Sequence, residues 1–296
     1  MKGPDTQRTA ADALVQYARA TRRLGDLDAA TGAANEAVAI LEALREGGDD
    51  TEATIVGLAR AFDIKASILN NRQDPDSLAT VLRGVEILSP LSERPDASVA
   101  VRETEIDLLN QVGFQYVNIN DPRAIEALER SMAIGRELGA RELTDTYVSG
   151  LYAEAAAWLI PALITAGRVD DARAVGADAA AVADGVLAQK PGDRQALFAQ
   201  GLIQSSLGDA ASSSLQPHEA IPYHLRAVVV QQTLVDFDPG NKINHNNLVS
   251  VLWTLSGTYY AIGAIEDALA TLDSANASLA IAGEGGAGLA GAAGRR

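Results

Sequence analysis

A phrase of small and apolar residues recurs six times along the chain at a nearly constant interval. In each copy, a turn and an acidic or polar residue precede a small residue that opens a helix, and a second small residue follows seven positions later. The first small residues are Ala30, Ser77, Ala124, Ala172, Ala220 and Ala268, and the second are Ala37, Gly84, Ser131, Ala179, Ala227 and Ala275. The copies lie 47 or 48 residues apart. Self-similarity at such a period predicts a stack of helical repeats, each of which buries its apolar face against its neighbours.

The first repeat shows the pattern most clearly. Residues 11–24 and 27–44 form two amphipathic segments, joined by a turn at residues 25–26. In the second segment the small and apolar residues follow one helical stripe at i, i+4, i+7 and i+11: Ala30, Ala34, Ala37 and Leu41. The chain is therefore predicted to be all-α, a right-handed α-solenoid of about six antiparallel helix pairs.

The domain prediction follows from these repeats. Residues 1–281 form the repeat domain, and residues 282–296, which are rich in Gly and Ala without periodicity, form a flexible tail. The predicted repeats span about 8–46, 51–89, 98–138, 144–189, 193–237 and 242–281.

The fifth repeat departs from the common pattern. Asp193 is placed to cap its first helix, which we expect to end near residues 207–208. Residues 209–216 are rich in Ser and Ala and show no helical stripe, so they are predicted to be an inserted loop. The second helix then begins at about Pro217, a favourable first-turn proline.

Composition narrows the class of function. The apolar fraction is 47% but aromatics make up only 4%, and small apolar residues suit close helix packing. A net charge of −15 disfavours nucleic-acid binding, which needs Lys and Arg to displace counterions from phosphates. Cysteine is absent, which excludes disulfides and thiolate metal sites.

Neither a membrane span nor a signal peptide is expected. The longest uncharged run, residues 155–167, is too short for a bilayer and contains Pro161. The first residues lack a charged region followed by an apolar core. A cytoplasmic location is predicted, with a periplasmic one as the alternative if the chain is an excised domain of a membrane-anchored protein.

The repeated units resemble the tetratricopeptide repeat. The match is carried by LGDLDAATGAANEAVAIL at residues 24–41, with weaker copies in AGRVDDARAVGADAAAVA and AIGAIEDALATLDSANASLAI. The usual unit has 34 residues, so these units are longer. The long period and the phrase LVDFDPGN are similar to arrays attached to bacterial eukaryotic-type Ser/Thr kinases and related signalling proteins, although the chain contains no kinase motif.

No constellation of residues points to catalysis, a cofactor or a metal. His218 and His224 are six residues apart, which does not place them on one helical face, and His245 lies among Asn residues at a predicted helix start. We expect packed or capping histidines rather than ligands. The carboxylates are scattered, and no nucleophile motif is present. The chain is therefore predicted not to be an enzyme.

The resemblance implies that the first helix of each unit lines a concave groove. Transferring the inward positions by the turn register gives ten partner-binding candidates: Arg19, Arg22, Arg23, Phe62, Asn70, Asn110, Phe114, Asn118, Trp253 and Tyr260. Three arginines near one end would suit a peptide with an acidic end, and Arg and aromatic residues are enriched at interface hot spots. The alternative for Phe62, Phe114 and Trp253 is simple packing between repeats.

Two functions remain open at this point. The first is a non-catalytic scaffold that binds a protein or peptide in the groove, as the regulatory or sensory module of a larger bacterial signalling protein. The second is a sensor that encloses a small molecule or a signalling peptide between its helices. An open, polar-rimmed groove would favour the first and an enclosed apolar pocket the second. The sequence leaves the oligomeric state open.

Overall fold

The computed structural model describes residues 3–143, 145–214 and 216–283, and every regular element in them is an α-helix. The helices follow one another in pairs with short connections. They are α1 (Pro4–Arg23), α2 (Leu27–Glu46), α3 (Glu52–Asn71), α4 (Ser77–Ser92), α5 (Val99–Asn118), α6 (Arg123–Glu137), α7 (Thr146–Thr165), α8 (Val169–Gln189), α9 (Arg194–Ser213), α10 (Pro217–Phe237), α11 (Lys242–Ala261) and α12 (Ile265–Gly283). The prediction of an all-α fold built from tandem helix pairs is confirmed. From residue 284 onward, the predicted tail lies outside the described residues.

The chain divides into two compact units, the first ending at Gln115 and the second beginning at Tyr116, so that the division falls within α5. In the first unit, α1 packs on α2 and α3, α2 on α3, and α3 on α4. In the second, each helix from α6 to α11 packs on the next, and α7 also packs on α9. Packing between neighbours in sequence is the defining property of helical repeats.

Left-handed backbone conformations mark five of the turns inside the pairs. Gly25, Gly167 and Gly263 have φ angles of 79°, 75° and 81°, a region that glycine enters without steric cost. In the second and third pairs, Gln73 (φ 57°) and Asn120 (φ 54°) take the same conformation.

The small residues of the repeated phrase lie where the helices approach most closely. All twelve are buried, and each of the six that open the phrase is 5% exposed or less. The hydroxyl of Ser77 is accommodated there because it donates to the carbonyl oxygen of Ala66, at 2.8 Å. This burial confirms the register from which the helix pairs were predicted.

The predicted loop in the fifth repeat is wrong. α9 continues to Ser213, and only residues 214–216 connect it to α10. Ala210 and Ala211 are buried, at 1% and 4% exposed, so alanines take the buried positions of the helix in residues 209–213, which contain no Leu or Val. Two other predictions in this repeat are confirmed: Asp193 accepts from the backbone N–H of Ala196, at 3.0 Å, and α10 begins at Pro217.

α7 is the one described helix with the length and composition to cross a membrane. Its most apolar window is 72% buried, and α6, α8 and α9 pack against it. A buried apolar helix of this kind forms the centre of a helical unit, which agrees with the prediction of no membrane-spanning segment.

Candidate binding surfaces

Two of the three arginines predicted for the groove reach across from α1 to α3. A guanidinium nitrogen of Arg19 lies 3.7 Å from a carboxylate oxygen of Asp63, and Arg22 donates to the side-chain oxygen of Asn71 at 3.0 Å. Arg23 is exposed. The Asp63 carboxylate offsets part of the positive charge that the sequence places here, so Arg23 is the most accessible of the three cations.

Other candidates in the first unit are partly or wholly buried. Phe62 is 2% exposed, belongs to the core between α1, α2 and α3, and lies 4.9 Å beneath the guanidinium carbon of Arg83. Asn110 is 4% exposed, whereas Asn70 and Phe114 are half-buried. For Phe62 this favours the packing alternative.

The remaining candidates belong to the second unit. Asn118 is exposed, Trp253 packs against the cluster of Leu248 and Leu252, and Tyr260 is 71% exposed. Seven of the ten candidates therefore lie in one unit and three in the other. Neither unit by itself contains the predicted set.

A cavity that the sequence did not indicate lies within the second unit, beside the turn between α5 and α6. It has a volume of about 380 Å³, is partly open to solvent, and is bounded on its other side by the end of α7. Apolar groups form most of its wall. It is lined by Val117, Asn120, Asp121, Pro122, Ala124, Ile125, Pro161, Ala162, Thr165 and Ala166.

Local interactions hold the rim of this cavity in place. The left-handed conformation of Asn120 reverses the chain, and Asp121 then accepts from the backbone N–H of Arg123 at 2.9 Å and from its side chain at 2.6 Å. These hydrogen bonds hold the pKa of the Asp121 carboxyl below its usual value, so that it stays ionised. The guanidinium of Arg123 also lies 4.5 Å from the ring centre of Tyr116. These contacts within the chain order the rim of the cavity.

The opposite wall comes from the end of α7. Pro161 presents a rigid apolar ring there, and because it has no N–H it leaves one helical carbonyl without its usual donor. The hydroxyl of Thr165 donates back to the carbonyl of Pro161, at 2.9 Å, and keeps its lone pairs for another donor. The site thus offers an apolar floor with an amide, a carboxylate and a hydroxyl oxygen at its edge.

Known proteins resemble this chain in fold. No protein-family model matches the sequence, and no curated protein matches it. Among solved structures the chain is similar to BtubC (BKLC) from P. vanneervenii, a helical-repeat structure, with 16% identity and a TM-score of 0.57 over 96% of this chain and 94% of that one. The chain has a helical-repeat fold. At this identity, the likeness extends no further than the fold.

The histidines of this helical-repeat chain lie apart from the cavity-lining residues. His245 is buried, with Nδ1 2.9 Å from the Ser278 hydroxyl and Nε2 3.0 Å from the Pro239 carbonyl oxygen. His224 is completely buried, and burial lowers its pKa to about 4. In the part of the chain that the structure describes, no three His, Asp or Glu side chains are grouped as a metal site.

Proposed function

We propose that this chain is a non-catalytic helical-repeat module that binds a protein or peptide partner, and that the cavity beside the α5–α6 turn receives a large apolar side chain of that partner. The observation that carries the proposal is the cavity itself, which is pre-formed, mostly apolar and edged by a few polar groups. Ligand sites typically have these properties.

Burial of an apolar side chain in the cavity would favour binding. Transfer of a Leu, Met or Phe side chain from water into an apolar site contributes about 1.5–3 kcal/mol. The exposed Asn120 side chain and the Thr165 hydroxyl oxygen can hydrogen-bond the backbone of an extended segment. Since Arg123 already fixes the rim, little ordering cost opposes binding.

The resemblance to tetratricopeptide repeats, and to arrays in bacterial kinases, supports a regulatory or sensory module of a larger signalling protein as the setting for this activity. A second candidate function is small-molecule sensing. It is favoured by the cavity volume, which falls at the lower end of the range of about 300–1,000 Å³ for ligand pockets. The partial opening to solvent favours the protruding side chain of a peptide.

The test is a displayed random-peptide library, selected on the wild-type chain and counter-selected on Ala162→Trp, whose indole would fill the cavity. We expect the enriched peptides to share a large apolar residue and to lose at least tenfold in affinity for Ala162→Trp. Ala13→Trp, at an exposed position of α1, is the matched control and should bind normally. Circular dichroism confirms that both variants fold.

Equal affinity of the selected peptides for wild type and Ala162→Trp would remove the cavity from the proposal. If no peptide is enriched but a fragment library binds the wild-type chain and not Ala162→Trp, the sensor function is correct instead.

A further inference from the structure

The sixth repeat leaves uncovered a position that the other five repeats bury. This position lies four residues after the small residue that opens the repeated phrase. It is buried in the first five repeats, at Ala34, Val81, Leu128, Gly176 and His224. In the sixth repeat it is Leu272, which is 37% exposed. A large apolar residue therefore remains exposed at the end of the described helices.

The first helix of the following repeat helps to cover this face elsewhere. Leu207 of α9 lies so close to Gly176 of α8 that a Cβ atom there would come within 3.1 Å of its Cγ. α2 likewise packs on α3, and α10 on α11. Within residues 216–283 no helix follows α12, so no helix in that range gives its outer side an equivalent cover.

Leu272 is part of a continuous apolar stripe. Ile265 and Leu269 are 47% and 58% exposed, and the spacing of four and then three residues places both on one helical face with Leu272. We call these three residues the α12 face. The adjoining side of α12, which carries Ala268 and Ala275, is buried. Helix faces that repeats leave in water are normally polar, whereas the α12 face is apolar at all three of its positions.

The charge beside the stripe is wholly negative. Glu266 and Asp273 are exposed and lie beside it, Glu266 one residue from Ile265 and Asp273 one residue from Leu272, and α12 contains no Lys or Arg. A second copy of α12 would set carboxylates against carboxylates. A partner that carries Lys or Arg beside its own apolar residues would instead be complementary.

We propose that the α12 face docks an amphipathic helix of a partner protein that carries basic residues along its apolar stripe. A helix is the fitting shape because helices cover the equivalent face of the earlier repeats. This surface is separate from the cavity-lining residues, so it adds a second point of attachment, and two linked contacts give avidity beyond either alone.

The experiment uses a labelled synthetic peptide of 18 residues, with leucines at i, i+4, i+7 and i+11 and lysines beside them, measured by fluorescence anisotropy. A second peptide has glutamate in place of every lysine. We expect the lysine peptide to bind the wild-type chain, to bind more weakly as salt is raised, and to exceed the glutamate peptide in affinity at least tenfold.

Four variants locate the contact and separate it from the cavity. Leu269→Glu should weaken the lysine peptide at least tenfold. Val229→Glu, at a 65% exposed position of α10, adds the same charge elsewhere and should leave binding unchanged. The double change Glu266→Lys and Asp273→Lys should reverse the preference toward the glutamate peptide. Ala162→Trp should bind the lysine peptide normally, which separates this test from that of the cavity.

Equal binding of the lysine peptide to wild type and Leu269→Glu would overturn the proposal, as would no measurable binding of either peptide. Sedimentation analysis tests whether a second copy of the chain occupies the α12 face instead. A wild-type dimer that Leu269→Glu dissociates would show that a second copy of the chain covers the α12 face, contrary to the proposal.

Discussion

The helix pairs of the first and fifth repeats have the same backbone plan but different interiors. Both have three-residue connections between their helices. Ala34 and Leu41 on α2 correspond to His224 and Gln231 on α10, and all four are at most 1% exposed. At these two positions, the interface between the helices is therefore filled by apolar side chains in the first repeat and by an imidazole and an amide in the fifth.

Glycines make room for the larger polar side chains of the fifth repeat. A Cβ atom on Gly208 would lie 2.6 Å from Nδ1 and 2.8 Å from Nε2 of His224, and one on Gly201 would lie 3.1 Å from Cδ of Gln231. Four repeats earlier, the residues that correspond to the two glycines are Ala18 and Ala11. In the fifth repeat, larger side chains on the second helix are thus matched by smaller residues on the first, as close packing requires.

The exchange conserves volume but leaves polar atoms unsatisfied. Among the described residues, neither ring nitrogen of His224 nor either amide atom of Gln231 has a hydrogen-bond partner. A buried polar group without a partner costs about 1–3 kcal/mol. The repeat period therefore preserves the backbone, whereas the side chains between the helices set the stability of each pair. In chain order, the weaker pair separates the cavity-lining helices from α12.

The largest expected effect is on the dependence of stability on pH. The pKa of His224 is lowered to about 4 in the folded chain from 6.5, so between these values the unfolded chain binds the additional proton. Stability should therefore fall as pH falls from about 6.5 to about 4, by up to roughly 3 kcal/mol, and this loss should level off below pH 4.

Urea unfolding of wild type and His224→Leu across this pH range isolates the effect, because the carboxylates titrate in both. The difference in the free energy of unfolding between the two proteins should vary with pH as the titration of a single group does. Parallel curves would show that His224 is not held neutral by burial.

The next effect concerns the glycine that accommodates the ring. Gly208→Ala should destabilise the chain by about 1–3 kcal/mol, because the new methyl overlaps the imidazole. In a His224→Ala background the same change should cost nothing. Gly257→Ala on α11 is the matched control, since no atom lies within 4 Å of its new methyl, and it should stabilise by up to about 1 kcal/mol. A similar response of both glycines in thermal unfolding would contradict the packing described for the fifth repeat.

The smallest effect is on local opening. Amide hydrogen exchange in the central turns of α10 should be faster than in those of α2, on the order of tenfold, because the unsatisfied polar atoms lower the cost of opening. Replacing Gln231 with Leu should slow exchange in α10 and leave α2 unchanged. Equal protection of the two helices in wild type would remove the distinction between the repeats.

Much of the fold could be predicted from the sequence because it depends on local and periodic features. The small residue at each close contact recurs at a fixed interval, and glycines mark three of the turns. The prediction for residues 209–216 was wrong because Ser and Ala resemble a loop in composition. At close helix contacts, however, alanine serves as the buried residue, as Ala210 and Ala211 do here.

The binding surfaces were harder to foresee because they depend on contacts between distant residues. Phe62 was predicted from the sequence to line the groove, but its ring is buried between helices. The partial pairing of Arg19 depends on Asp63 of another repeat. The cavity arises where the left-handed turn at Asn120 meets Pro161, about forty residues away, and the only local signal was the Asn-Asp-Pro turn itself.

The most direct test of the binding role is cross-linking at the cavity. Because the chain has no cysteine, Thr165→Cys supplies a single thiol at the rim, to which a benzophenone maleimide can be attached. On irradiation with a peptide selected on the wild-type chain, we expect a cross-link at position 165 that excess unlabelled peptide abolishes. Ala13→Cys, labelled in the same way, should give none. Equal yields at the two positions, or none at position 165 while the peptide remains bound, would contradict the claim that the cavity receives the partner.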